Sequence, residues 1–550
     1  AASAGAGGSR ATRHGISLRV PRPTLAEVPH SEAVLERRMV SHDLWPARLI
    51  ERRQGSQTTL PARVYWPRNR EDLQTILVAA SEAGIPVVPF GAGSGVCGGV
   101  SPRADAWVVD MKRMNRLVEV DFARSTCSVE AGMNGERLER MLNARQRSLG
   151  HFPSSIYCST VGGWLAARSA GQLSSRYGKI EDLVVAVEGV DGQGRPIAAS
   201  IDDPRTGPAA LRALIGSEGA LCIFTGCTLR VHRVPSHRWL RGFAFPSLEQ
   251  GILAMREIMR AGEAPSVLRT YDVLDAALGG SRGRAPGPDR ITAGALSVAG
   301  QENSGANDEQ LRGLRRLGAA VESSTLFNHP RLLRRLTGSL LGHPMVLRAL
   351  SRSTHGPCRT VVGLEGEESD LQRRVPQLRE RFARAGAVDL GDDPGVRWLH
   401  HRHRVSYRMS HVFAAGAWVD TMEIATGWAG VLPLYRAMRT ALSNVALVTC
   451  HFSHAYIDGC SLYFTFVGGG RAGGGATGDR GHYDLTWSRA LEVVRRSGAT
   501  LSHHHGVGRS KLAGLTRDSG TLELLATLKQ SLDPAGILNP GVLGLGGRRG

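Results

Sequence analysis

The sequence predicts an α+β protein of more than one folded unit, and three observations carry that expectation. Strand–helix–strand spacing begins near residue 57 and runs into a series of glycine-dense turns. Two further strand–helix units follow residue 236. A chain of 550 residues is also too long for a single core.

In the first region, Val64-Tyr65-Trp66 reads as a strand. Asn69 can cap a helix whose first turn holds Glu71 and Asp72, and whose apolar face is Leu73, Ile76, Leu77 and Ala80. Gly84 ends it, and Ile85–Val88 feeds the turn Pro89-Phe90-Gly91-Ala92-Gly93-Ser94-Gly95. Such a turn exposes consecutive N–H groups able to cradle an anion such as a pyrophosphate. Ser159–Trp164 and Ile215–Gly219 read as second and third glycine turns. Three turns in one αβ region suit an extended cofactor, each approaching a different part of it.

Beyond Ser236, Trp239–Phe245, the helix Ser247–Ala261 and the strand Ser266–Tyr271 form one unit. Thr360–Leu364 and the helix Glu367–Ala385 form a second, and the repeat suggests a ferredoxin-like cap. Between them, Gly279–Asp289 reads as a loop. The leucines from Leu332 to Leu347, among Arg331, Arg334, Arg335 and Arg348, read as a basic amphipathic segment, either a helical hairpin packed on the cap or a membrane-surface patch. The expected division is an N-terminal extension (1–56), a cofactor domain (57–235), a cap (236–450) and a C-terminal segment (451–550).

Composition narrows the function. Hydrophobic content of 42% with 21% charged residues fits a folded chain, and no run approaches the ~18 apolar residues of a membrane-spanning helix. The eight cysteines include no Cys-x-x-Cys pair and read as buried thiols. A net charge of +19 favours anionic partners. It comes almost wholly from arginine, because lysine occurs only at Lys112, Lys179, Lys511 and Lys529. Dispersed arginines with few aromatics argue against nucleic acid as that partner. The segment before Glu27 has no acidic residue and is weakly transit-like, without the apolar stretch of a secretory signal.

Chemistry concentrates near the carboxyl end. His503, His504 and His505, bounded by Ser502 and Gly506-Val507-Gly508, offer proton-transfer groups near neutral pH. In an extended loop, His503 and His505 point one way and His504 the other. A metal site or a purely structural run are the competing readings of three imidazoles. In Cys460–Phe466, strand alternation puts Tyr463 on a face with Ser461 and Thr465, opposite Leu462, Phe464 and Phe466. Arg402, Arg404 and Arg408, close together in sequence, each supply a guanidinium fork suited to a phosphate.

The ordered set Ser159–Trp164, Tyr177–Val184, Gly216–Gly219 and Ser502–Gly508 resembles the two-subdomain flavin-binding proteins of the vanillyl-alcohol-oxidase and p-cresol-methylhydroxylase (PCMH) type. Within that superfamily it is most similar to the alkyldihydroxyacetonephosphate synthase family. The resemblance implies FAD, with Pro89–Gly95 at the pyrophosphate. Ser154, Ser155, Ile156, Tyr157, Cys158, Ser159 and Thr160, with Ala167, Arg168, Ser169 and Ala170, would line the flavin and ribityl chain. Glu218, Gly219, Ala220, Leu221, Cys222, Ile223 and Phe224 would close the site. The first loop has no histidine, so noncovalent FAD is expected, and Cys222 stands where the family usually has glycine.

The resemblance further implies a catalytic role for Tyr463 and the histidine run, and substrate-binding roles for Arg408 and Arg269. The implied reaction exchanges the acyl group of acyl-dihydroxyacetone phosphate for a long-chain fatty alcohol, through a flavin N5 adduct, in ether-lipid synthesis. Peripheral membrane contact and a homodimer are expected with it. So is a cytoplasmic or membrane-surface location in a bacterium, or a peroxisomal one in a eukaryote, although Gly547-Arg548-Arg549-Gly550 is no recognised peroxisomal signal. The competing enzyme class is an FAD-linked D-2-hydroxy-acid dehydrogenase, of the lactate or glycolate type. The competing non-enzymatic reading is a basic binding module.

Overall fold

The computed structural model describes residues 23–278, 343, 345, 347–348, 356–403, 409–414, 416–469, 475–515 and 520–546. The Gly279–Asp289 loop, most of the basic leucine segment, Arg404, Arg408 and both chain ends lie outside the described residues. Leu347 is described and buried.

The amino-terminal half forms two sheets. Strand β1 (His30–Ser31) pairs antiparallel with β2 (Arg63–Tyr65), which runs parallel to β4 (Trp107–Asp110), itself parallel to β3 (Val87–Phe90). The helix Arg70–Ala83 crosses between β2 and β3. The Asn69 side chain caps it by accepting the Asp72 N–H, and Gly84, at φ +65°, ends it in the left-handed region. The second sheet is antiparallel, in the order β5 (Leu117–Asp121), β6 (Thr126–Glu130), β10 (Ile223–Arg230), β8 (Val184–Val190), β9 (Pro196–Ser200). A short ladder of β7 (Arg147–Ser148) and β11 (His232–Arg233) stands beside it. These are the two expected subdomains.

Residues 23–56 are integral to this half and not a separate lead. They supply β1, and the Leu44 and Asp43 N–H groups bond to Gly95 O and Val100 O around the first glycine turn. The second predicted glycine turn is instead a helix start. Thr160 caps Val161–Ala167, placing Gly162 and Gly163 in its first turn.

The cap is built on a seven-stranded antiparallel sheet. Strands β12 (His237–Phe245), β13 (Val267–Tyr271), β14 (Cys358–Gly366) and β15 (Val388–Asp389) lie in the order β15-β12-β14-β13. With helices Leu248–Arg260 and Glu368–Arg384 as crossovers, this is the ferredoxin-like arrangement. The sheet continues beyond β13 through β17 (Leu447–Ala455), β18 (Gly459–Gly469) and β16 (Ala417–Gly427). A division at residue 450 would cut β17, so Tyr463 belongs to the cap sheet. Helices Gly475–Ser497 and Gly520–Leu532 form the helical carboxyl-terminal part.

Alternation along these strands separates core from cavity. Leu268, Val362, Met422, Ile424, Phe452, Leu462, Phe464 and Phe466 point into the main hydrophobic core with the cap helices. Burying each such side chain contributes roughly 1.5–3 kcal/mol. The opposite face carries Arg269, Tyr271, Arg359, Val361, His451, Tyr463, Thr465, Val467, Val419 and Thr421, and it looks into a cavity shared with the first half of the chain.

Candidate active site

That cavity encloses about 1440 Å³. A usual small-molecule cleft holds roughly 300–1,000 Å³, so there is room for a dinucleotide and a second molecule. All of Pro89–Gly95 lines one wall, with Ser154, Ser155, Cys158, Ser159, Thr160, Ala167, Ser169, Ala170, Glu218, Gly219, Cys222, Ile223 and Phe224. Arg269, Tyr463, His504 and His505 line the other.

Six predicted residues do not line it. Ile156 and Leu221 are buried in the core of the second sheet, and Ala220 packs with Val542 and Leu545. Tyr157 is exposed, its ring edge-on to His403. Arg168 takes the left-handed cap of its helix and pairs with Glu181 at 2.8 Å. His503 lies behind the other two histidines.

The glycine loops fit the pyrophosphate of a dinucleotide because side chains would close them. A Cβ on Gly91 would meet the Thr160 hydroxyl, and one on Gly93 (φ +67°) would lie 2.8 Å from the Phe90 ring. One on Gly219 (φ +74°) would meet Pro89. Only glycine lets these backbones approach one another and a ligand. Glu218, between them, is held at φ +51°, an uncommon conformation for a residue with a Cβ. The Cys222 thiol is buried beside the cavity, and burial, then the nearby Asp191 charge, pushes it up to about 12.

The histidine loop does not alternate as an extended strand would. It is tied along the edge strand β16: the His503 N–H donates to Glu423 O, and the Glu423 carboxylate accepts N–H groups from His504 and His505. The chain then turns at Gly506 (φ +81°). His504 and His505 therefore both face the cavity. His503 bonds through Nε2 to the Tyr456 hydroxyl at 3.2 Å, and its Nδ1 lies 2.9 Å from His504 Nδ1. Burial, reinforced by Lys179, drives His503 down to about 3. His504 is held well below the usual histidine range by burial, then by His505. Both are neutral bases at physiological pH.

Tyr463 sits opposite Glu423 on β16 and His451 on β17. Its ring stacks on His451 at 4.6 Å, and its hydroxyl donates to Thr421 Oγ1 at 3.2 Å. Burial pushes its phenol up to about 12, so it keeps its proton and is a donor. His451 Nδ1 lies 3.1 Å from Asp275 Oδ2, and its Nε2 accepts from Arg269. Arg269 is thereby anchored on one guanidinium nitrogen, while its buried Nε has no protein partner among the described residues. That is a fixed cation at the cavity wall.

Sequence reasoning missed Asp43, Glu423, His451, His454 and Lys511. Asp43 supports the first glycine turn, accepting the Trp45 and Val100 N–H groups, and burial pushes it up to about 6. Glu423 could have been found by alternation, since Val419, Thr421 and Glu423 share a face of β16. Nothing local marks Lys511, whose partner is 88 residues away.

Residues 61–200 match the FAD binding domain family, and residues 234–327 and 338–543 match the FAD linked oxidases C-terminal domain family. The alkyldihydroxyacetonephosphate synthase of Trypanosoma brucei brucei is 28% identical over 91% of this chain and 75% of its own length. That of Dictyostelium discoideum is 27% identical over 90% and 74%. A solved alkyldihydroxyacetonephosphate synthase structure superposes with a TM-score of 0.69 at 24% identity, covering 93% of this chain and 82% of that one. With its glycine cradle and the cap face opposite it, the chain belongs to the FAD-linked oxidase family and is an FAD-dependent enzyme, similar to the alkyldihydroxyacetonephosphate synthases over nine-tenths of its length.

Proposed function

We propose that the protein exchanges the acyl group of acyl-dihydroxyacetone phosphate for a long-chain alcohol, releasing a fatty acid and forming an alkyl ether. The observation that carries this reading is one continuous cavity. It joins the glycine cradle, a fixed guanidinium, two imidazoles, a protonated phenol and an apolar wall of Leu49, Val96, Val412, Phe413, Val419 and Val467. Arg269 holds the phosphate at one end, with Arg408 as its expected partner outside the described residues. The apolar wall takes the acyl and then the alkyl chain, excluding water that would otherwise compete with the alcohol.

An unprotonated imidazole of the His504–His505 pair removes the proton beside the ketone. FAD, when bound, supplies an electron-poor ring for the carbon that proton removal leaves electron-rich. The carboxylate departs as fatty acid, and the alcohol oxygen takes its place on the same carbon. Tyr463, which keeps its phenolic proton at neutral pH, exchanges protons with the oxygens that develop or lose charge. The alcohol's proton returns through the imidazoles, so the exchange is redox-neutral.

The test is incubation of the FAD-loaded protein with acyl-dihydroxyacetone phosphate and labelled hexadecanol. The reading predicts labelled ether and one equivalent of fatty acid; fatty acid without ether would mean hydrolysis and would refute it.

A further inference from the structure

Glu423 is fully buried behind the histidine loop. Its carboxylate accepts Ser502 Oγ–H at 2.5 Å, the His505 N–H at 2.9 Å and the His504 N–H at 3.4 Å. Lys511 Nζ, also fully buried, lies 2.9 Å from each of its oxygens and 3.0 Å from Ser502 Oγ. His505 Nδ1, buried and with no hydrogen bond of good geometry among the described residues, lies 3.1 Å from Glu423 Oε2, so a small ring rotation brings its N–H onto that oxygen. A fully buried charge pair is weak evidence for stability alone, since desolvation of both ions offsets their attraction. It is a strong orienting device, because the group on one imidazole nitrogen decides which nitrogen carries the proton.

We propose that the Glu423–Lys511 pair is a positioning device that holds His505 by its Nδ1–H, turning Nε2 to the cavity as the proton acceptor. The inference rests on the reading of the site given above. Glu423 holds a proton on Nδ1, and Lys511 cancels the carboxylate charge so that the ring is not driven to take a second proton. The other titratable groups facing His505 are His504 on its own loop, Tyr463 on β18, His451 and His454 on β17, and Glu218, which binds the next two residues of the loop. The imidazoles among these are buried and neutral, and the phenol is protonated, so none supplies a competing cation. Burial works against the charge on both members of the pair. His505 and Lys511 nevertheless hold the Glu423 carboxyl well below its usual range, and Glu423 in turn raises Lys511.

The two halves of the pair therefore act on His505 in opposite directions, and the Nδ1–H tautomer they fix is the readout that a merely structural pair would not set. The experiment is histidine nitrogen NMR of the FAD-loaded protein across pH, with the His505 signal identified by its loss in His505→Gln. In the wild type, the neutral ring should carry its proton on Nδ1. Glu423→Gln should shift the His505 titration midpoint to lower pH, and Lys511→Met to higher pH, each by a unit or more. The double variant Glu423→Gln/Lys511→Met removes both charges together. It should return the midpoint near the wild type, and it remains informative where Lys511→Met alone leaves an uncompensated carboxylate and fails to fold. An Nε2–H wild-type ring, or single variants that shift the midpoint the same way or not at all, would overturn the proposal. The pH–rate profile for ether formation forms a separate arm and should follow the same two directions. A wild type that forms no ether refutes the proposed reaction, while the NMR arm still decides the role of the pair.

Discussion

The Glu218 carboxylate accepts the Val507 N–H at 2.6 Å, and its second oxygen accepts the Gly508 N–H at 2.8 Å. A residue of the flavin-binding half thus holds the loop that carries the histidines, although 289 positions separate them in the chain. Glu218 is consequently a clamp between cradle and cap as well as part of the cavity wall.

Burial drives the Glu218 carboxyl up to about 7 from its usual 4.5, against the two N–H bonds that pull it down. An acid raised in the folded state contributes stability that is fully present below about pH 4.5 and is lost as pH rises through about 7. Asp43, raised to about 6, adds to the same trend. Melting temperature should therefore fall across this window, and Glu218→Gln should flatten the fall while costing about 1–3 kcal/mol for the mismatched N–H acceptor. An unchanged slope in the variant would contradict the assignment.

Tyr463→Phe removes the hydroxyl and leaves the ring stacked on His451. Ether formation should drop by roughly a hundred- to ten-thousand-fold, the usual worth of a positioned proton-transfer group. Flavin content and melting temperature should stay close to the wild type. Because the phenol lies near 12, the wild-type rate should show no alkaline limb from Tyr463 near neutral pH.

The three consecutive histidines should separate by position. His504→Gln and His505→Gln should each lose roughly a hundred-fold or more in kcat. His503→Gln should lose roughly ten-fold or less, because that ring serves Tyr456 and the back of His504. Steady-state kinetics of the three variants checks the order; equal losses would contradict it.

Gly219→Ala places a Cβ against Pro89 in a left-handed backbone. The strain costs about 1–2 kcal/mol, and the displaced loop should release flavin, giving a paler protein by visible absorbance. The wild-type flavin, with no histidine in the first loop to tether it, should leave with acid precipitation. Flavin retained on the precipitated chain would show a covalent link.

Much of the fold was legible because its signals are local. Asn69, Gly84 and the Pro89–Gly95 turn mark one crossover within 27 residues, and the ferredoxin-like cap was suggested by one strand–helix–strand unit followed by a second strand–helix unit. The face Tyr463 occupies was readable from alternation, because Leu462, Phe464 and Phe466 are apolar on the other, while its role came from the resemblance. Most of the misreadings come from long-range contact, and one from a local cap. The histidine run bends because Glu423 and Glu218 grip it from distant elements, and no property of Ser502–Gly508 reveals either. Thr160 converts an apparent glycine turn into a helix start. Asp43 lies in a segment that looked like a lead, yet it braces the cradle. Arg408 falls outside the described residues, so the phosphate reading rests on Arg269 and its anchor to His451 and Asp275.

The central claim, that cradle and cap serve a redox-neutral exchange on one FAD, is tested most directly by watching the flavin spectrum anaerobically during turnover. With acyl-dihydroxyacetone phosphate and hexadecanol, ether should accumulate while the flavin ends oxidised, and D-lactate or a similar 2-hydroxy acid should leave it yellow. Bleaching by the hydroxy acid with no ether from the lipid pair would contradict the account and identify a dehydrogenase.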